Sequence, residues 1–207
     1  DVTREGYTAE EMAAMDWSPV AGALVEVTWN GTVLESYPAQ FGEVTAVRIL
    51  EDGFNDLCRL YRDVLNDLWE VDPGLNDGIT ELGVDLSETS LPESERSAVA
   101  YAFGMDHGLM PVEGTYQELV DQGYIDGEEL FWEDGCLFSI KETQDEDPVV
   151  FSLPSIGPGD EIPDYSGVRF DAEKWRGGTG AYSFTNCTAA SLDGHWNVYT
   201  VGAEAIS

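Results

Sequence analysis

The chain of 207 residues is 43% hydrophobic, enough to bury a sizeable core in one domain or two small ones. Its 41 Asp and Glu against 9 Lys and Arg give a formal charge of -32, spread along both halves rather than gathered in a tail. Such a surface repels nucleic acid and anionic lipid headgroups, which are bound through Lys and Arg on phosphate, and no apolar run approaches the ~18 residues of a membrane span.

Lysine is scarce: only Lys141 and Lys174 stand beside the arginines. An acid-rich, lysine-poor surface suits an extracellular or cell-envelope setting, where divalent cations screen carboxylates, or a salt-rich cytoplasm. The chain opens on Asp1 rather than Met, which points to a removed leader and so towards secretion.

In chain order, Thr8-Ala-Glu-Glu11 has capping-box spacing and predicts a short helix ending before Pro19. Ala23 to Trp29 and Thr32 to Tyr37 flank Asn30-Gly31, a strong type I′ turn signal, so a hairpin with Trp29 opposite Thr32 is expected. That register sets Glu26 opposite Glu35. Two facing carboxylates offer a candidate metal site, with Ca²⁺ the fitting ion; the plainer and favoured reading is a solvated face. Glu43 to Leu50 reads as a third strand of this meander.

Phe54 to Trp69 carries the clearest pattern in the chain. Phe54, Leu57, Cys58, Tyr61, Val64, Leu65 and Leu68 recur at helical spacing while Asp56, Arg59, Arg62, Asp63, Asn66 and Asp67 fill the other face. Asp72-Pro73-Gly74 predicts its stop, and the meander is the expected cover for its apolar stripe. Pro73 to Leu91 reads as a loop with at most one short turn, and its Asn-Asp-Gly fails the EF-hand test because Pro73 and Val84 would fall at ligand positions.

Ser90-Leu-Pro-Glu93 predicts a capped helix carrying Ala98, Val99, Ala102 and Phe103 and ending near Gly104 or Gly108. Thr115-Tyr-Gln-Glu118 opens another, stopped by Gly123. Leu130 to Glu133 and Cys136 to Lys141 then flank Asp134-Gly135 as a second expected hairpin, apolar on both faces and so covered on both. The order of two helices and a hairpin, with TYQELVDQGYI between them, resembles a winged helix over about a quarter of the chain. That resemblance implies architecture only, because Thr115 to Lys141 holds a single Lys, no Arg and many acids, whereas a DNA reader needs basic residues on that helix and wing.

Glu142 to Asp147 is an acidic loop, Val149 to Leu153 a short strand, and Pro154 to Gly167 a long connection, either a lid or a linker. The rest reads as strands at Val168 to Asp171, Ala181 to Ala190 and His195 to Val201. The fold class expected is α+β, mostly antiparallel sheet with three or four helices. Three segments, 1–72, 73–147 and 148–207, divide it, or run on as one domain.

One stretch breaks the acidic background. Arg169, Lys174 and Arg176 fall close together, followed by Gly177-Gly178-Thr179-Gly180 and Tyr182. Glycines admit close backbone approach, exposed N–H groups form anion nests, and Trp175 or Tyr182 stacks on a ring, so the segment is a candidate site for a small anionic ligand or a carbohydrate. It is neither a Walker A loop nor a Rossmann fingerprint. The plainer and favoured reading pairs the cations with neighbouring acids and gives the glycines to a turn.

Three cysteines, Cys58, Cys136 and Cys187, lie far apart within apolar stretches and read as buried small hydrophobes. Two histidines are too few for a histidine-based zinc site, and Cys187 with His195 is a remote nucleophile–base pair. The function expected is a non-catalytic binding or interaction module of a secreted or envelope protein, with a small anion, a carbohydrate or a protein as partner and no organic cofactor. The alternative is a hydrolase using carboxylates, or less favourably Cys187 and His195.

Overall fold

The computed structural model describes residues 2–4, 24–34, 40–51, 56–143, 165–192, 195–196 and 199–207. The expected helix after Thr8, the strand Val149 to Leu153, most of the connection after Pro154, and both Glu35 and Phe54 lie outside them. The fold is α+β, and the chain forms two compact units, Asp1–Asn55 and Asp56–Ser207.

The first unit holds β1 (Val2–Arg4), β2 (Leu24–Trp29), β3 (Val33–Leu34), β4 (Gln40–Phe41) and β5 (Val44–Glu51). Its three-stranded sheet runs β1-β5-β2, with β1 parallel and β2 antiparallel to β5, and β3 pairs β4 apart from it. The hairpin expected at Asn30-Gly31 is therefore corrected: β2 pairs β5 rather than β3. Gly31 does take the positive φ, +82°. The Asn30 side chain, however, accepts the Thr32 N–H at 3.0 Å, and the chain runs on outward, with Gly42 N–H donating to Thr32 O at 2.8 Å. Asn30-Gly31 thus interrupts a longer ribbon instead of closing a short one. Glu26 consequently faces Arg48, at 3.5 Å, rather than a second carboxylate.

The second unit is built on a seven-stranded mixed sheet. Its order is β11 (His195–Trp196), β10 (Gly180–Leu192), β9 (Tyr165–Gly177), β8 (Gly135–Glu142), β6 (Glu81–Asp85), β7 (Pro111–Glu113), with β12 (Ala203–Ile206) also on β10. The pairs β7–β6–β8 are parallel and those from β8 to β11 antiparallel. Among the described residues three helices cover it: α1 (Asp56–Glu70), α2 (Glu93–Asp106) and α3 (Tyr116–Asp121).

The apolar stripe of α1 is buried along its length, with Tyr61, Val64, Leu65 and Leu68 fully so. Within its unit α1 lies on α2 and on β8, β9 and β10. Tyr61 meets Phe170 at 5.6 Å, and Trp69 and Phe103 meet Phe138 at 5.6 and 5.1 Å, so α1 and α2 share one face of the sheet. On the other face Leu119 of α3 packs with Ile125, Trp132 and Leu137. Consecutive residues Leu137 and Phe138 thus serve opposite faces, and the two-sided burial expected of this strand is present.

Three local expectations change. β6 occupies what reads as loop, and it sits between two parallel neighbours. Its Gly83 leaves the room that Trp132 fills, since a Cβ there would lie 2.8 Å from the indole. The second hairpin is absent, because Leu130 to Glu133 does not pair with β8; Phe131 bridges Asp126 and Gly177 instead. Trp132 folds back over Gly135, where a Cβ would come within 2.1 Å of the ring, and donates its Nε1–H to Glu81 at 2.7 Å. With that hairpin gone, the winged-helix order goes too. Ser90, finally, caps nothing: its N–H and hydroxyl both donate to Glu142 at 2.8 Å, the same carboxylate that accepts from Tyr61 at 2.6 Å, and Pro92 is the N-cap. The Thr115 to Glu118 capping box forms in full, and α2 ends at Gly108 in a Schellman motif, Leu109 N–H reaching Gly104 O at 2.9 Å.

A polar clamp joins α1 to α2. Arg62 bonds Asp106 through two nitrogens at 2.7 and 2.5 Å, Asn66 donates to Asp106 at 3.1 Å, and Asn66 Oδ1 lies 2.8 Å from His107 Nε2. His107 stacks on Trp69 at 3.8 Å, and burial lowers its pKa.

Two consequences are measurable. Gly135→Ala drives a methyl into Trp132 and is expected to cost about 1–3 kcal/mol in a urea titration, with part regained in the Gly135→Ala/Trp132→Leu double variant. A neutral midpoint shift would remove the close approach as a constraint. Because the His107 pKa is lowered from 6.5 on folding, the unfolded chain takes the proton first. Stability should therefore fall as pH drops below that value and level off once the folded histidine also protonates, and His107→Gln should flatten this part of the profile. The Asp106 carboxyl, held below its ordinary 3.8 chiefly by Arg62, gives way only at more acidic pH.

Candidate functional site

Strand β9 carries the cationic segment, and pleating divides it. Lys174 turns to the α1 face; Trp175 turns to the α3 face and meets Tyr116 edge-on at 5.1 Å. Tyr182, on β10 opposite Lys174, is buried and donates its hydroxyl to Glu204 of β12. Arg169 sits back along β9, half-buried, opposite Thr188. The predicted residues are neighbours in sequence but do not converge on one surface.

Lys174 is fully buried. Its ammonium donates to Asn76 Oδ1 at 2.7 Å, Asp72 O at 3.0 Å and Trp69 O at 3.4 Å, and also to Val71 O. Those carbonyls close the C-terminal end of α1, where unsatisfied C=O groups and the helix dipole favour a cation. Asp72 takes φ 40°, a conformation uncommon outside glycine. Asn76 is buried with the lysine. Desolvation is the main influence on Lys174 and lowers its pKa, while the nearby Cys136, Asp72 and Glu70 oppose it. Arg176 continues the pattern, donating to Leu75 O and Asp77 O at 3.2 Å each and to Glu133 O at 2.8 Å. The expectation that these cations pair with acids is thereby corrected at Lys174 and Arg176: both are engaged by oxygens of the backbone and one amide, and neither is offered to an anion. The glycines do shape a turn, with β9 passing into β10 through Gly178-Thr179.

What remains of the candidate segment lines a depression at this turn. A pocket of about 390 Å³ is bounded by Leu75, Glu129, Leu130, Phe131, Arg176 and Gly177 to Gly180. Leu130 and Phe131 are 49% and 43% exposed, consecutive apolar residues at the rim of a highly charged protein. Leu130 takes φ 52°, costly for a branched apolar side chain. Its carbonyl accepts from Gly178 N–H at 2.8 Å, Phe131 exchanges bonds with Asp126 at 3.0 and 3.2 Å, and Trp132 N–H donates to Arg176 O at 2.8 Å. Gly177 lets Phe131 approach, since a Cβ there would lie 2.8 Å from the ring. A second depression of about 400 Å³ shares Glu129 and Phe131 with the first and adds Glu81, Tyr124, Asp126, Trp132, Glu133 and Asp134.

Leu75, Glu129, Leu130 and Phe131 escape the sequence reading. The apolar run Leu130 to Trp132 is visible between acids but reads as a hairpin strand, and only its failure to pair with β8 leaves it at the surface.

Neither depression is lined by a cysteine or a histidine. Cys58, Cys136 and Cys187 are free and buried, and burial is the main cause pushing each thiol up to about 12. His195 falls opposite Leu192, well along β10 from Cys187. Among the described residues no group of three or more His, Cys, Asp and Glu is arranged to hold a metal ion. Glu173 and Asp63, exposed carboxyls whose pKa desolvation by their neighbours raises, line neither depression.

Removing the Lys174 ammonium takes the donor from Trp69 O, Val71 O and Asn76 Oδ1 and leaves Asp72 O with the Leu75 N–H alone, so Lys174→Met should cost roughly 3 kcal/mol or more in a denaturation experiment and speed hydrogen exchange across residues 70–77. Lys174→Arg should rescue little, because a planar fork does not replace a point charge here. A loss within about 0.5 kcal/mol, the range of ordinary surface changes, would show that the cage does not hold the fold.

Comparison of the chain with protein-family models, with curated proteins and with solved structures found no match.

Proposed function

We propose that this protein is a non-catalytic interaction module that binds a peptide segment of a protein partner over Leu130 and Phe131, in an extracellular, cell-envelope or salt-rich setting. The observation that carries the reading is an exposed, rigidly held Leu130–Phe131 pair at the edge of a pocket of about 390 Å³. Anchors already fixed in place lose little entropy on binding, and buried aromatic contacts dominate interface energies.

A small anion is a poorer occupant, because Arg176 is committed to three carbonyls and Lys174 is enclosed. Trp175, the ring that the sequence offers to a sugar, packs against Tyr116 on the α3 face of the sheet instead. For the hydrolase alternative, the thiols stay protonated near neutral pH and the raised carboxyls lie away from both depressions.

Selection of random heptapeptides displayed on phage against the immobilised protein tests the reading. Phe131→Ser should abolish binding of the selected peptides. Gly178→Trp should do the same by filling the pocket: position 178 needs no positive φ, and a Cβ there meets only Leu130 atoms at ordinary contact distance, 3.7 Å. Both variants should keep the parent melting temperature within a few degrees. Peptides that bind both variants as well as the parent, or no selectable peptide at all, would overturn the proposal.

A further inference from the structure

We infer that the segment bound at this ridge carries a Lys or Arg next to an apolar residue, the apolar side chain entering the Leu75–Leu130 depression and the cation the one beyond Phe131. The inference rests on the binding reading above and adds the chemistry of the partner.

Phe131 and Glu129 belong to both depressions, so the phenyl ring forms a ridge between them. The two sides differ in character. On one, Leu75, Leu130 and the glycines of the β9–β10 turn offer apolar and backbone surface, and the Arg176 guanidinium at its wall points three N–H groups at the chain's own carbonyls. On the other, Glu81, Asp126, Glu129, Glu133 and Asp134 surround Tyr124 and Trp132. Asp126 accepts the N–H groups of Glu128 and Glu129 at 2.9 Å, which hold its carboxyl below the usual range and keep it charged. A cation beside the partly exposed Tyr124 ring and these carboxylates gains from both charge and ring quadrupole.

The backbone narrows the mode of binding. Leu130 O, Phe131 N and O, and Trp132 N are all used within the chain, by Gly178, Asp126 and Arg176. Strand addition at Leu130 to Trp132 therefore has no ladder to join, and recognition must run through side chains. The charge of -32 steers a cationic segment towards the protein and turns an acidic one away.

The test uses the pocket-dependent heptapeptides, synthesised with a fluorescein label and titrated by fluorescence anisotropy against the full chain. Lys or Arg should occur within two positions of Leu, Phe or another large apolar residue. Replacing that basic residue with Gln should weaken binding about tenfold, as should the isosteric pair Glu129→Gln with Asp134→Asn, and affinity should fall between about 0.05 and about 0.5 M salt. Pocket-dependent peptides that lack a basic residue, or that tolerate its loss, would overturn this inference while leaving the interaction reading in place. If no peptide depends on Phe131 and Gly178, both fall together.

Discussion

An ammonium ion held inside the protein is the constraint on which the second unit depends. Lys174 lies mid-sheet on β9, and burying its charge unpaired would cost several kcal/mol. The end of α1 supplies the compensation: Trp69, Val71 and Asp72 present carbonyls where the helix leaves its own acceptors unsatisfied, and Asn76 completes the cage. The connection after α1 must therefore curl around one strand position before it enters β6. Arg176, two residues on, takes up Leu75 and Asp77 in the same way and reaches Glu133 on the far segment. Leu75 is thus held where it bounds the depression proposed for binding, and a buried charge shapes a surface it never touches.

Stiffness at the ridge has a second source on the opposite face of the sheet. Trp132 is fixed by its bond to Glu81, by the missing side chains of Gly83 and Gly135, and by packing with Leu119, Ile125 and Leu137. Since Trp132 is almost wholly buried, its neighbours Leu130 and Phe131 project from an anchored point rather than a free loop. The unfavourable φ of Leu130 is tolerated because bonds on either side over-determine it. Strain, burial and pocket geometry therefore come from one short segment, and a change at Gly135 is felt at Phe131.

Patterns confined to one element were legible in the sequence. The stripe of α1, the capping box at Thr115, the burial of three cysteines and the two-sided cover of β8 all follow from spacing and local chemistry. Pairing was not. Asn30-Gly31 and Asp134-Gly135 satisfy the local rule for a tight hairpin, yet at one the chain continues outward and at the other Trp132 occupies the space that glycine leaves. β6 was hidden because acids at both ends and a central glycine imitate a loop, and only its place between β7 and β8 makes it a strand. Lys174 deceives in a different way: composition marks a scarce cation as exposed and available, whereas its partners are three backbone oxygens and the Asn76 side chain about a hundred residues away in sequence, which no local pattern announces. Of the candidate residues, Arg176, Gly177 and Gly178 line a surface depression, whose apolar half the sequence did not announce.

The distribution of titratable groups bears on what chemistry this surface can perform. The three thiols lie in the core and His107 is clamped between α1 and α2, while Asp126, its carboxyl held low by two backbone N–H groups, lines the second depression. The ridge itself offers rings, methyl groups, glycine backbone and carboxylates, while its main-chain donors and acceptors are already spent on Gly178, Asp126 and Arg176. Surfaces of that composition recognise by shape and charge. The ridge offers apolar contact on one side of Phe131 and carboxylates on the other, and the proposed binding of a partner segment rests on that pairing of surfaces.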